Sequence, residues 1–206
     1  ISIGLVGSEM CIRDRIGMYL DTPDDVVFDK WQEMAFPNQP MGRSILGKSE
    51  IIKTITRDQV EGFMKGYYRP DKMVFSVSGN FDENNVIELI EKYFQNLPQG
   101  SENHSPKANY QGGEFRQEKD LEQVNVILGF EGVDFYSDLY YATAVYSTVL
   151  GSGMSSRLFQ EIREKRGLVY SISSYASSFS DSGIFGVYAG TGQKEIMELI
   201  PVLCDQ

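Results

Sequence analysis

Gly151-Ser-Gly-Met-Ser-Ser-Arg-Leu-Phe-Gln-Glu-Ile-Arg-Glu-Lys-Arg-Gly-Leu-Val-Tyr170 contains a change of period from which the rest of the chain can be read. Two glycines loosen the backbone at its start. Ser155 or Ser156 can then cap a helix that carries Leu158, Phe159 and Ile162 on one face. Arg163, Lys165 and Arg166 crowd the last turn, where cations complement the helix dipole, and Gly167 supplies a stop. Immediately afterwards the pattern alternates, with Leu168, Tyr170, Ile172 and Ser174 against Val169, Ser171, Ser173 and Tyr175. The stretch is thus a helix, a glycine turn and a strand, with Arg163 and Tyr170 flanking the corner. On residue types alone, that corner also suits an ordinary solvated basic helix end.

Outward from the corner, two strands are predicted at roughly Leu168–Ser178 and Ile184–Ala189, joined at Ser180-Asp-Ser-Gly183, before Gly190-Thr-Gly192 leads into a helix from about Gln193. Upstream, Ser137-Asp138 can cap a helix running to Leu150. Gln123–Phe130 is an apolar, central strand, and Gly113–Asp120 alternates like a strand with one exposed face. Pro98, Gly100, Pro106, Gly112 and Gly113, spaced by Ser, Asn and His, make a linker, and a boundary is placed near residue 105. Before it, Asp21-Thr-Pro-Asp-Asp25 starts a helix with Val26, Val27, Trp31, Met34 and Ala35 on one face. Thr56-Arg-Asp-Gln59 is a capping box whose helix ends before Pro70. Lys72–Ser78 is a strand by β-branched and aromatic content, and a helix follows from about Asp82 to Gln95. Strands joined by short turns, with helices in separate blocks, predict an α+β fold with a mainly antiparallel sheet.

Composition narrows the function. A net charge of −10 disfavours nucleic acid, which demands clustered cations. No apolar run approaches the roughly 20 residues of a membrane span. Cys11 and Cys204 stand at opposite ends and form no disulfide framework, so a reducing compartment is the easier fit. Residues 1–15 are expected to be a non-native leader. Ile1–Val6 lacks the basic start and cleavage site of a signal peptide, and Glu9-Met-Cys-Ile-Arg-Asp14 reads as a translated sequencing-library adapter; a short strand is the alternative.

No self-sufficient active site stands out. His104 is the single histidine, so it cannot supply a His-based zinc site, and it lies in the least structured stretch, a poor place for a Ser–His–Asp arrangement. Gly151-x-Gly153 follows a helix rather than a strand, which fails the dinucleotide fingerprint. Asp24, Asp25 and Glu83 sit at helix starts, where capping explains them. Arg43 can position a carboxylate or simply be solvated. The serines of Ser171–Ser180 alternate with aromatics, as a polar face lining a groove or facing water would.

Two separated blocks nevertheless resemble one family. Ile16-Gly-Met-Tyr-Leu-Asp-Thr-Pro-Asp-Asp25, with Pro40-Met-Gly-Arg-Ser-Ile-Leu-Gly47 and Tyr67-Tyr-Arg-Pro-Asp-Lys-Met-Val74, looks like the first domain of the pitrilysin/insulinase (M16) peptidases. The likeness is nearest to the branch of mitochondrial processing peptidase and its bacterial relatives. Gly151-x-Gly-x-Ser-Ser-Arg-Leu-Phe159 with Ile162-Arg-Glu-Lys-Arg-Gly-Leu-Val-Tyr170 is similar to that family's second domain. The resemblance implies two similar α+β domains, each a sheet with helices packed on it, forming part of a clamshell half. Residues 16–104 would be the C-terminal part of the first domain and 105–206 the N-terminal part of the second. It also implies a zinc endopeptidase acting on peptides or unfolded polypeptide, in a bacterial cytoplasm, with a homologous subunit as a possible partner. The family's His-x-x-Glu-His motif is absent here, and the position of the third metal ligand holds Arg15, a cation that cannot bind zinc. Zinc is therefore expected in the parent protein and not in these residues. A non-catalytic partner subunit is the competing expectation. By the same resemblance, Arg163 and Tyr170 match the Arg and Tyr, seven residues apart, that contact substrate and the tetrahedral intermediate. Ser171 and Ser173 follow as substrate-binding candidates on a strand able to pair with an extended peptide.

Overall fold

The computed structural model describes residues 2–97 and 105–206; Pro98, Gly100 and His104 lie outside them. In chain order the elements are α1 (Ser2–Leu20), α2 (Pro23–Ala35), α3 (Ser49–Ile52), α4 (Arg57–Tyr67), α5 (Glu83–Phe94), β1 (Val124–Glu131), α6 (Tyr140–Gly151), β2 (Val169–Ser178), β3 (Gly183–Thr191) and α7 (Ile196–Cys204). The class is α+β. Residues from Ser2 onward are helical, in place of the short strand considered for Ile1–Val6. The chain divides into two compact units, one of residues 1–10 and 49–106, the other of residues 11–48 and 107–206.

In the first unit, α4 begins at the expected capping box. Thr56 Oγ1 accepts the Gln59 N–H, and Gln59 Oε1 accepts the Thr56 N–H at 2.8 Å. Asp82 caps α5 by accepting the Asn85 N–H at 2.9 Å. The strand expected at Lys72–Ser78 does not form. Pro70–Lys72 is a 3-10 turn, the following residues are irregular, and Val74 is 94% exposed. A strand exists only by pairing, and no other strand is present among the described residues of this unit. Phe75 packs edge-on against Phe94 of α5 instead, with ring centroids 4.7 Å apart.

The second unit is built on a three-stranded sheet of order β1-β3-β2, antiparallel throughout. Its register sets Asn125 opposite Gly190, Gly129 opposite Gly186 and Tyr175 opposite Gly186. Alternation then gives each face its own cover. On one side Ile172, Val187 and Ala189 join Leu158, Ile162, Leu168, Leu199 and Leu203 in the main core under α6, the corner and α7. Full burial of a Leu or Ile contributes about 1.5–3 kcal/mol, so Leu158 and Ile162, both fully buried, anchor the corner firmly. Gly151 ends α6 against β2, where a Cβ would lie 2.4 Å from the Ser174 nitrogen. Its role is close helix–strand approach, whereas Gly153 (φ +99°) supplies the loose backbone.

The opposite face is covered by α2. Trp31 lies over the Gly129–Gly186 pair, where a Cβ on Gly129 would come within 1.7 Å of Trp31 Nε1. Phe28 stacks on Tyr188 at 5.4 Å and meets Tyr175 at 5.1 Å. The strand expected at Gly113–Asp120 is also absent. That part of the chain follows α2: the Gln111 N–H donates to Ala35 O at 2.9 Å, Gly113 packs on Met34, and Lys119 Nζ donates to Leu20 O. With the Gln111 hydrogen bond spent on a helix end, the segment does not join the sheet.

Candidate functional site

The predicted helix before the corner is a π-turn over Phe159–Glu164, marked by a bond from the Lys165 N–H to Gln160 O at 3.1 Å. Such widened turns recur at functional positions. It stops at Gly167, whose φ of +64° needs glycine, through bonds from the Gly167 N–H to Arg163 O and from the Leu168 N–H to Ile162 O. No serine side chain caps the start; Ser156 Oγ donates instead to Gly153 O at 2.7 Å. Arg163 is exposed, with its guanidinium carbon 4.8 Å from the centre of the Phe159 ring. That cation–π contact holds the head group of an otherwise exposed side chain. The neighbouring Lys165 is paired to Glu161, and this holds the Glu161 carboxyl below its ordinary range.

Tyr170 occupies an irregularity that the sequence did not announce. Val169 faces Thr191 and Ser171 faces Gly190, so Tyr170 is an extra residue, a β-bulge at the first turn of β2. Bulges bend a strand and re-aim a side chain. Tyr170 is 64% exposed and lines a groove of about 510 Å³ with Pro23, Leu121, Glu122, Gln123 and Asn125. The bulge is fixed from behind by Thr191, wholly buried, whose hydroxyl donates to Leu168 O at 2.6 Å.

Ser171 and Ser173 are half-buried on the α2 side of the sheet, and Ser173 pairs across to Tyr188. Ser171 joins a polar cluster over Gly190. A Cβ at that glycine would meet Ser171 Oγ at 2.8 Å, Tyr188 Oη at 3.3 Å and Gln123 Oε1 at 3.4 Å. Tyr188 Oη donates to Asn125 Oδ1 at 2.9 Å, and Gln123 Nε2 donates to the same oxygen at 3.0 Å. Burial pushes the Tyr188 phenol up, opposed by its hydrogen bond with Ser171. Of the four candidates, Tyr170 alone lines the groove; Arg163, Ser171 and Ser173 are not among its lining residues. Gln123, Asn125 and Tyr188 escaped sequence reasoning. A glycine inside an aromatic strand, Tyr188-Ala-Gly190, was the available signal of close approach.

A family profile described as the peptidase M16 inactive domain matches residues 54–206. The chain belongs to the M16 peptidase family. Over 186 residues it is 41% identical to a protein of Rickettsia bellii named an uncharacterized zinc protease, covering 90% of this chain and 45% of that one. A Bacillus subtilis zinc protease, YmxG, is 36% identical over 91% of this chain and 46% of its own length. Among solved structures, a peptidase M16 inactive domain from Pseudomonas fluorescens superposes with a TM-score of 0.84 at 19% identity, covering 100% of this chain and 52% of that one. A chain of complex III2 from Candida albicans gives 0.79 at 22% identity over 90% of this chain and 46% of its own. These two likenesses establish the fold. The chain spans about half the length of the relatives it matches.

Among the described residues no three His, Cys, Asp or Glu side chains converge as a metal site. Arg15, which the family resemblance set at the position of the third ligand, is an exposed cation on α1. What these M16 residues offer is a set of neutral hydrogen-bonding groups and one guanidinium around the end of a sheet. No helix among the described residues is long and apolar enough to cross a membrane.

Proposed function

We propose that this chain supplies the peptide-contacting portion of a bacterial zinc endopeptidase that cleaves peptides or unfolded polypeptide, zinc being held by residues outside it. The observation that carries this reading is the bulge that turns Tyr170 out of the β2 ladder into the groove, on the strand that follows the turn bearing the exposed Arg163. A phenol and a guanidinium can each donate to a substrate carbonyl or to the oxygen that gains charge when that carbonyl is attacked. Preorganisation is supplied by Thr191 and Gly167, which fix the two ends of the corner. β2 is also an edge strand among the described residues, and its outer backbone groups are suited to pair with an extended peptide irrespective of sequence. The cytoplasm and a homologous partner subunit complete the proposal.

A second reading, a non-catalytic subunit that binds polypeptide, is favoured by the poor fit of these residues to zinc. Cleavage of an internally quenched unfolded peptide distinguishes the two. The full-length protein containing this sequence is expected to cleave it, with activity lost on chelation and regained with zinc, while the 206-residue chain alone does not cleave. A full-length protein that binds the peptide and never cleaves it establishes the second reading. Chelator-sensitive cleavage by the 206-residue chain itself contradicts the first.

A further inference from the structure

We infer that Gln123 and Asn125 form a subsite for one main-chain amide of an extended peptide beside Tyr170. This rests on the reading that the groove faces polypeptide, and it assigns that recognition to residues at the start of β1. Gln123 lies just before β1 and Asn125 on it; their amides meet in a hydrogen bond, and both residues line the groove. Asn125 Oδ1 accepts from Gln123 Nε2 at 3.0 Å and from Tyr188 Oη at 2.9 Å, so both of its lone pairs are occupied and the orientation of the amide is set. Among the described residues, its Nδ2 and Gln123 Oε1 have no hydrogen-bond partner. The pair therefore presents donors and an acceptor side by side, which is the complement of the C=O and N–H of a peptide unit.

Three further features agree with this assignment. Gly190, opposite Asn125, provides the space in which Ser171, Tyr188 and Gln123 converge. Tyr188 is itself buried and held by Phe28 of α2, so it acts as a positioning residue with no route to a ligand. Among the described residues Glu122 is the single charged one on the groove, and Pro23 and Leu121 give it an apolar flank. A site lined in this way suits a neutral amide and disfavours phosphate or a carboxylate.

The test uses fluorescence anisotropy on the 206-residue chain with a fluorescein-labelled, uncharged, unstructured 15-residue peptide. The same peptide is then made as a series in which each main-chain N–H in turn is replaced by an ester oxygen. One ester position is expected to weaken binding to the unaltered chain by roughly 2- to 10-fold, the worth of a single hydrogen bond. That same ester should have no further effect on Gln123→Ala, which binds the parent peptide equally weakly. Asn125→Ala should lose a similar factor. If Arg163→Ala or Tyr170→Phe weakens binding but Gln123→Ala and Asn125→Ala bind like the unaltered chain, the subsite is wrong and the proposed function stands. If the unaltered chain does not bind the peptide, both fall. An ester effect of equal size in the unaltered chain and in Gln123→Ala also overturns the assignment. The ester series on the unaltered chain needs no variant to fold.

Discussion

Replacing Thr191 by valine removes one hydroxyl and keeps the branched shape of the side chain. That hydroxyl is wholly buried and donates to Leu168 O at 2.6 Å, behind the bulge that presents Tyr170. Valine leaves the Leu168 carbonyl buried without this partner. The loss combines a net hydrogen bond, about 0.5–1.5 kcal/mol, with the penalty for an unsatisfied acceptor, for a total of roughly 1–3 kcal/mol. β-propensity offsets little, since Thr and Val both favour strands. Urea unfolding followed by tryptophan fluorescence is the suitable assay, because the single tryptophan, Trp31, lies on this sheet and reports on the unit that contains Thr191. With a slope of about 2 kcal/mol/M, the midpoint should fall by roughly 0.5–1.5 M. A midpoint within about 0.2 M of the unaltered chain would mean that the hydroxyl does not hold the corner, and the reasoning about its preorganisation fails.

Two other perturbations act on the α2 face of the sheet. Tyr175 Oη is buried with no hydrogen-bond partner among the described residues, and burial drives its phenol far above the ordinary value. A raised folded pKa means the unfolded chain releases its proton first, so stability is complete below pH 10 and declines as pH rises beyond it. Tyr175→Phe should flatten that decline above pH 10 in urea titrations and, at neutral pH, be neutral or stabilising by up to about 2 kcal/mol; a loss of more than about 1 kcal/mol would show that the hydroxyl has a partner. Gly129→Ala drives a methyl to within 1.7 Å of Trp31 Nε1, so α2 must lift or Trp31 must turn. The expected cost is about 1–3 kcal/mol, with a shift in Trp31 emission, and an unchanged spectrum and midpoint would contradict the packing.

Much of this was legible because it is local. The Thr56–Gln59 box, the Gly167 stop and the strands β2 and β3 depend on residues close in sequence, and each formed as read, except that the bulge takes Tyr170 off the face it was expected to share with Ile172 and Ser174. Lys72–Ser78 failed because its β-branched content describes a surface that fits a sheet, and among the described residues of its unit no strand is there to pair with it. Gly113–Asp120 failed because backbone near its start found the end of α2 instead. The π-turn was not legible, because Leu158 and Ile162, four residues apart, keep ordinary helical spacing, and the widening shows only in the bond from the Lys165 N–H to Gln160 O. At the site, Arg163 and Tyr170 were visible through their spacing and the family resemblance, whereas Gln123, Asn125 and Tyr188 meet only through strand register across 63 residues of chain.

The most direct measurement is steady-state cleavage of an unfolded peptide by the full-length protein containing this sequence, comparing Arg163→Ala and Tyr170→Phe with the unaltered enzyme. Both side chains are exposed and outside the core, so thermal stability should be preserved. Removal of one transition-state donor should lower kcat by roughly 10²–10³-fold with a smaller change in KM. Unchanged kcat in both variants, or a loss of activity matched by a loss of folded protein, would contradict the placement of substrate at this corner.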